Sequence, residues 1–566
     1  MEFACQKGNK SIVKYLIEHG AEVYEIPTFI MKDDYLIKWL IELGADINSQ
    51  NSSGETFLLI ACQNENENMV NYLIDRGADI DREDRYGNTP LIIACGKNNE
   101  VLIKYLVEHN ADINKGFNES PLTIACNNGN ENLIKYLVEH GADVNNDDGI
   151  KYSSSYDIEV SIPLAIAIEN GNEQLVKYLV EHGANVNNDN TNGITLLSMA
   201  CKKENENIIK YLIEHGANVN NNNNNRNGDT PLHYACKRKN ENMVKYLVEH
   251  GANVNNRNLY GDTPLTFACM QENENIIKYL VEHGSDVNNY NVSGNTPLIF
   301  ACLKENENIV KYLVEHGANV NNNNTLGTIP LSIAFMKGNE NIIKCIVEYG
   351  ANVDIEINNI KFNNNTPLTI ACKIGNEKLI KHLIKYGADI NKEDKSGRTP
   401  LTFACDNGNE NIIKYFIELG ADVNKGKIDN PLNMACFKGN ENMVKYLHEH
   451  GAKIDNQTSL GMTPLMSACI NGNENIVKYL IEYGAEINVQ DINDDTPLIF
   501  AFKNGNENII YYLIDHGADV NKKNNESYTP LIISCYKEDN ENIIKCLIEH
   551  GADINTIAKD FIIIHL

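Results

Sequence analysis

A glycine followed by a small residue returns about every 33 residues along the chain, and so short a period rules out a set of independent globular domains. The Gly-Ala pair, or a near variant, stands at Gly20, Gly44, Gly77, Asn110, Gly141, Gly183, Gly216, Gly251, Gly284, Gly317, Gly350, Gly387, Gly420, Gly451, Gly484, Gly517 and Gly551, which makes 17 units. Length alone, 566 residues, would have suggested about four domains of roughly 150 residues.

The unit Gly261 to Asn289 shows the local physics. Thr263 caps a helix whose first residue is Pro264, where the missing N–H costs nothing and the fixed φ suits the turn. Leu265, Ala268 and Cys269 share one face at i, i+3, i+4 spacing. Asn273 is the cap of a second helix, with Glu274 beside its positive end and Ile276, Ile277, Leu280 and Val281 as its apolar stripe. Gly284 then stops it in the left-handed conformation. Of the 14 prolines, 13 occupy the slot of Pro264 and only Pro27 does not. Helices of two to three turns do not persist alone in water, so neighbouring pairs must bury each other's faces. Stability is then a sum of unit and nearest-neighbour terms.

The run Gly261-Asp262-Thr263-Pro264-Leu265, then Ala268-Cys269, Ile277, Leu280 and Gly284-Ser285-Asp286-Val287-Asn288, resembles the ankyrin repeat, over nearly the whole chain. The resemblance implies a mainly α solenoid of stacked helix-turn-helix units with projecting β-hairpin fingers. It also implies a concave face, made by fingers and first helices, on which partners bind. One departure stands out: the histidine usual after Pro-Leu occurs only at His233, with Thr266, Ile299 and Ser332 among its replacements, which puts the bonding of that histidine in question.

Residues 1–44 read as two atypical or truncated repeats, 45–555 as a continuous array of about 15 repeats, and 556–566 as an incomplete one. Met1 falls just before Phe3-Ala4-Cys5, inside what should be a first helix, so a fragment of a longer array is expected. Trp39 takes the slot of Tyr15, Tyr72 and Tyr279. Fingers near 145–160 and 354–365 are enlarged, and the asparagine run Asn220 to Asn225 reads as a flexible turn.

The net charge of −28 is spread over every repeat, which favours solubility and opposes binding to nucleic acid or anionic membrane. No stretch approaches the 18 or so apolar residues of a membrane span. Of 15 cysteines, 13 follow an Ala or Ser in the first helix; they are one core slot repeated, too far apart for disulfides or a zinc site. That suits a reducing, intracellular compartment, with the cytoplasm expected and the nucleus compatible. Eleven of 15 histidines precede the Gly-Ala pair, where a helix C-terminus favours a partly positive ring. No phosphate loop, nucleophile elbow or His-Glu-x-x-His is present, so no enzyme, cofactor or metal is expected.

Partner contacts are sought where apolar residues stand at solvent-facing slots. Three successive units supply Leu259, Tyr260 and Met270; Tyr290, Val292 and Leu303; and Leu326 and Met336. A basic set, Lys202, Lys203, Arg226, Lys237, Arg238, Lys239 and Arg257, lies in neighbouring units and suits an acidic peptide. The function expected is a non-catalytic scaffold or adaptor for other proteins. Two other readings are the substrate-recognition or targeting arm of an enzyme complex such as a ubiquitin ligase, and an elastic spacer.

Overall fold

Each repeat is punctuated by its own side chains. Thr263 Oγ1 accepts the Thr266 N–H at 3.2 Å and Pro264 opens the helix Pro264–Gln271. Asn273 Oδ1 accepts the Ile276 N–H at 3.0 Å and starts Glu274–Glu282, which ends at His283 before Gly284 at φ +87°. The caps and the glycine stop are those expected from the residues.

The structure, a computed structural model, describes residues 10–19, 34–42, 44–116, 119–146, 162–189, 194–221, 227–357, 365–536 and 541–556. Arg226, Asn222 to Asn225, residues 1–9 and 557–566, and most of both enlarged fingers lie outside them. The chain forms two units, Met1–Val292 and Ser293–Leu566. In the first, the helices Lys10–Glu18 and Asp34–Glu42 precede helix pairs that run from Phe57–Gln63 with Glu67–Asp75 to Pro264–Gln271 with Glu274–Glu282. In the second, pairs run from Pro297–Leu303 with Glu307–Glu315 to Pro530–Cys535 with Glu541–Glu549.

Like packs on like. In the first unit Pro264–Gln271 lies against Pro231–Lys237, and Glu274–Glu282 against Glu241–Glu249. The second unit repeats the scheme, with Pro464–Asn471 between Pro431–Lys438 and Pro497–Asn504. Leu265, Ala268, Cys269 and Leu280 have no solvent exposure at all. Each large apolar side chain so buried contributes roughly 1.5–3 kcal/mol. Trp39 holds its tyrosine slot, with Lys14 over its ring as Lys38 lies over Tyr72.

The cysteine slot is core. Burial pushes the thiols of Cys62, Cys95 and Cys126 up to about 12, which keeps them protonated and unreactive. Cys535 departs from the expectation: it is exposed, in the short helix Pro530–Cys535.

The fingers differ from the expected β-hairpins. Among the described residues they carry no strand, and only Asp189 and Thr195 form an isolated antiparallel bridge. Several fingers are instead tight turns around a side chain: in one, buried Asn258 accepts from the N–H groups of Tyr260 and Asp262 at 3.0 and 2.9 Å. Such a turn leaves too few residues on either side for a ladder. Its outward N–H groups bond the previous finger, as when Leu259 donates to the Asn227 carbonyl at 2.9 Å.

A second joint explains the wealth of asparagine. Asn255 donates its amide to the Gly284 carbonyl at 2.9 Å and accepts the Asp286 N–H at 2.8 Å, so one side chain clasps the next repeat twice. Asn220 does the same to Gly251 and Asn253, so the first residue of the asparagine run is a fastener and not slack. Asp455 in this slot only accepts, from the Glu486 N–H at 2.9 Å, because a carboxylate has no hydrogen to give.

His233 settles its own bonding. Its Nδ1 accepts from the Thr230 N–H at 3.1 Å and its Nε2 donates to the Asp262 carbonyl at 3.0 Å, joining two repeats. Asn433 reproduces the second bond with the Met462 carbonyl at 2.8 Å, whereas Ile299 has no polar atom to do so. Burial favours neutral imidazole and lowers the His233 pKa, against an opposing pull from Asp229. A lowered folded pKa means that the unfolded chain binds the proton first. Stability from this joint is therefore complete above about pH 6.5 and falls as pH drops below it. Amide protection across Pro231–Lys237, measured relative to the intrinsic exchange rate at each pH, should fall as pH drops from about 7.5 to about 5.5, and His233→Thr, the residue type of the next repeat, should abolish that fall.

Candidate functional site

In the first unit the finger tips form a fixed ridge. Leu259 bonds the Asn227 carbonyl and the Val292 N–H donates to the Tyr260 carbonyl at 2.8 Å, so three successive fingers are tied by backbone. Side chains tie them again beneath: Asn258 donates to Asp229 and Asn291 to Asp262, at 2.8 and 2.9 Å, and all four are buried. Leu259, Tyr260, Tyr290 and Val292 stand on this frame 67%, 52%, 56% and 64% exposed. Met270, at the end of Pro264–Gln271, is half-buried. Arg257 holds the tips together, with its guanidinium over the Tyr290 ring at 5.3 Å and a hydrogen bond to the Gly261 carbonyl at 3.3 Å.

The remaining apolar candidates belong to the second unit. Leu303 and Leu326 are exposed and Met336 is half-buried. That unit also exposes Phe437, Leu460 and Ile492, which sequence reading missed. The signal was present: Phe437 follows Ala435-Cys436 as Met270 follows Ala268-Cys269, and Leu460 precedes Gly461 as Tyr260 precedes Gly261. Tyr86, before Gly87 in the first unit, fills the same tip slot and is 71% exposed.

The basic residues divide into two groups. Lys203 pairs with Glu169 at 2.5 Å and Arg238 with Glu204 at 3.7 Å, which ties neighbouring repeats. Lys202, Lys237 and Lys239 are exposed and make no ion pair among the described residues. Lys202 and Lys237 occupy the slot of Met270, directly after the buried Ala-Cys pair of successive first helices.

The second helices carry a different pattern. His250 packs against Tyr246 with ring centres 4.1 Å apart and the planes tilted by 33°, and its Nδ1 donates to the Tyr246 carbonyl at 2.7 Å. Lys210 of the preceding repeat lies 5.9 Å from the same tyrosine ring. The histidines thus fasten helix ends, a direct bond where only an electrostatic preference was expected. Between these helices runs a groove of about 210 Å³ lined by Glu206, Lys210, Asn242, Tyr246 and Glu249. It is smaller than the roughly 300 Å³ at which ligand pockets begin. Among the described residues no three His, Cys, Asp or Glu side chains gather as a metal site would require, and no helix is long and apolar enough to cross a membrane.

Comparison with known families agrees with the repeat architecture. A model of three ankyrin repeats matches residues 29–117, 152–223, 219–291, 286–359, 331–427, 424–491 and 488–558, and a single-repeat model matches 117–149. No individual curated protein matches the chain. Ankyrin repeats generally serve as protein-protein interaction modules without catalytic chemistry. With helix pairs of the right spacing and matches over most of its length, the chain belongs to the ankyrin-repeat family.

Proposed function

We propose that the protein is a non-catalytic scaffold or adaptor that holds partner proteins against the face formed by its finger tips and first helices. The observation that carries this reading is the ridge of Leu259, Tyr260, Tyr290 and Val292, four large apolar side chains kept in solvent by a doubly bonded frame. A surface already ordered loses little entropy on binding, and exposed aromatic and methionine anchors are what protein interfaces favour. The buried free thiols fit a reducing compartment, so the cytoplasm is the proposed setting.

The test is affinity capture with wild type and a Tyr260→Ser, Met270→Ser variant. Partners retained by the wild type should be held about tenfold or more less tightly by the variant, as expected when interface anchors are removed, while its helical circular dichroism stays the same. Equal capture by both proteins would remove the ridge from the binding surface.

A further inference from the structure

We infer that the partner segment seated on the first unit is an extended, acidic peptide with apolar anchors. The inference rests on the proposed reading of this ridge as a binding surface and names the chemistry of what binds. Lys202, Lys237 and Met270 occupy one slot on three successive first helices, Leu196–Lys203, Pro231–Lys237 and Pro264–Gln271, which pack side by side. The two lysines are exposed and without an ion pair among the described residues. The fingers that lead into Pro264–Gln271 and into the following repeat carry the exposed Tyr260 and Tyr290 tips, with the Arg257 guanidinium over the Tyr290 ring.

Charge complementarity selects the occupant. Lys237, Arg238 and Lys239 follow one another with no acidic residue among them, in a chain whose net charge is −28. The turns on either side each carry one acid, Glu204, which pairs with Arg238 at 3.7 Å, and Glu272. A basic segment would meet repulsion here and attraction almost everywhere else on the protein, so this row has selective value only for an acidic one. Geometry selects its form. Packed helices lie about 8–10 Å apart, and an extended chain of polyproline II form advances about 3.1 Å per residue and returns to the same face every third residue, so one repeat spans about three peptide residues with both ends facing the helices. The expected ligand therefore places acidic residues three apart, opposite Lys202 and Lys237, with an apolar residue three further on, opposite Met270 and the tyrosine tips.

A displayed library of random twelve-residue peptides, panned on the full chain in low salt, tests this. Enriched sequences should carry an excess of Asp and Glu at a spacing of three and an adjoining apolar residue. A synthetic copy of the most enriched sequence should bind Lys202→Glu, Lys237→Glu at least tenfold more weakly. That gap should shrink in half-molar salt, where the Debye length is only about 4 Å. Enriched peptides without acidic excess, or ones that bind the double lysine variant as well as wild type, would overturn the acidic assignment. If such peptides still depend on Tyr260, the ridge remains the binding surface and only its ligand chemistry is wrong. Failure to enrich any peptide on the wild type would overturn the extended-segment reading itself.

Discussion

Phe416→Ala should destabilise the second unit by about 3–5 kcal/mol, the cost of a large aromatic removed from a closed core. Phe416 lies in Glu410–Glu418, has no exposure, and takes a position that leucine fills in most other repeats. Its ring is thus the largest filler of that slot, and the cavity left by alanine is correspondingly large. In a globule the loss would be shared by one cooperative core. In a linear stack it falls first on the damaged repeat and its two neighbours, because each repeat touches only those. Native-state amide exchange should show protection lost around Pro400–Asn407, Glu410–Glu418 and Pro431–Lys438, while Pro497–Asn504 keeps nearly all of its own. Uniform loss across the unit would contradict nearest-neighbour coupling.

Gly294→Ala should cost roughly 2–4 kcal/mol, and Gly317→Ala only about 1 kcal/mol. Both glycines have left-handed backbones, at φ +74° and +85°. They differ in what a methyl group would meet. At Gly317 there is open space within 4 Å; at Gly294 the new carbon would sit 2.8 Å from Asn324 Cα and 2.9 Å from Thr325 N, backbone atoms of the next finger. Strain alone acts at the first site, and strain plus a forced separation of two fingers at the second. Denaturant titration of the two variants should separate them by more than 1 kcal/mol, and equal losses would show that the fingers part freely.

Much of this architecture was legible because it rests on local rules. Thr263, Pro264, Asn273 and Gly284 each act within a few residues of themselves, and periodicity alone identified Leu265 and Leu280 as core. What escaped the sequence was mostly what crosses from one repeat to the next. The double grip of Asn255 spans 29 and 31 residues. Nothing in its neighbourhood sets it apart from an ordinary turn asparagine. The fingers were expected as hairpins from the family resemblance, yet their bonds run between fingers and around buried asparagines such as Asn258. On the candidate surface, the exposure of Leu259 and Tyr260 could be read from their slots. The pairing of Lys203 with Glu169 could not, because it depends on how far one helix is offset from the next.

The asparagine fasteners also govern how this molecule ages. Slow hydrolysis of a side-chain amide turns asparagine into aspartate, and at Asn220 that would replace a donor with an anionic oxygen facing the Gly251 carbonyl. The N–H of Asn253 would still be accepted, so the joint would be weakened without being severed. Because every joint is built separately, such damage would accumulate as scattered loose couplings along the stack, each confined to its own pair of repeats, and not as sudden collapse.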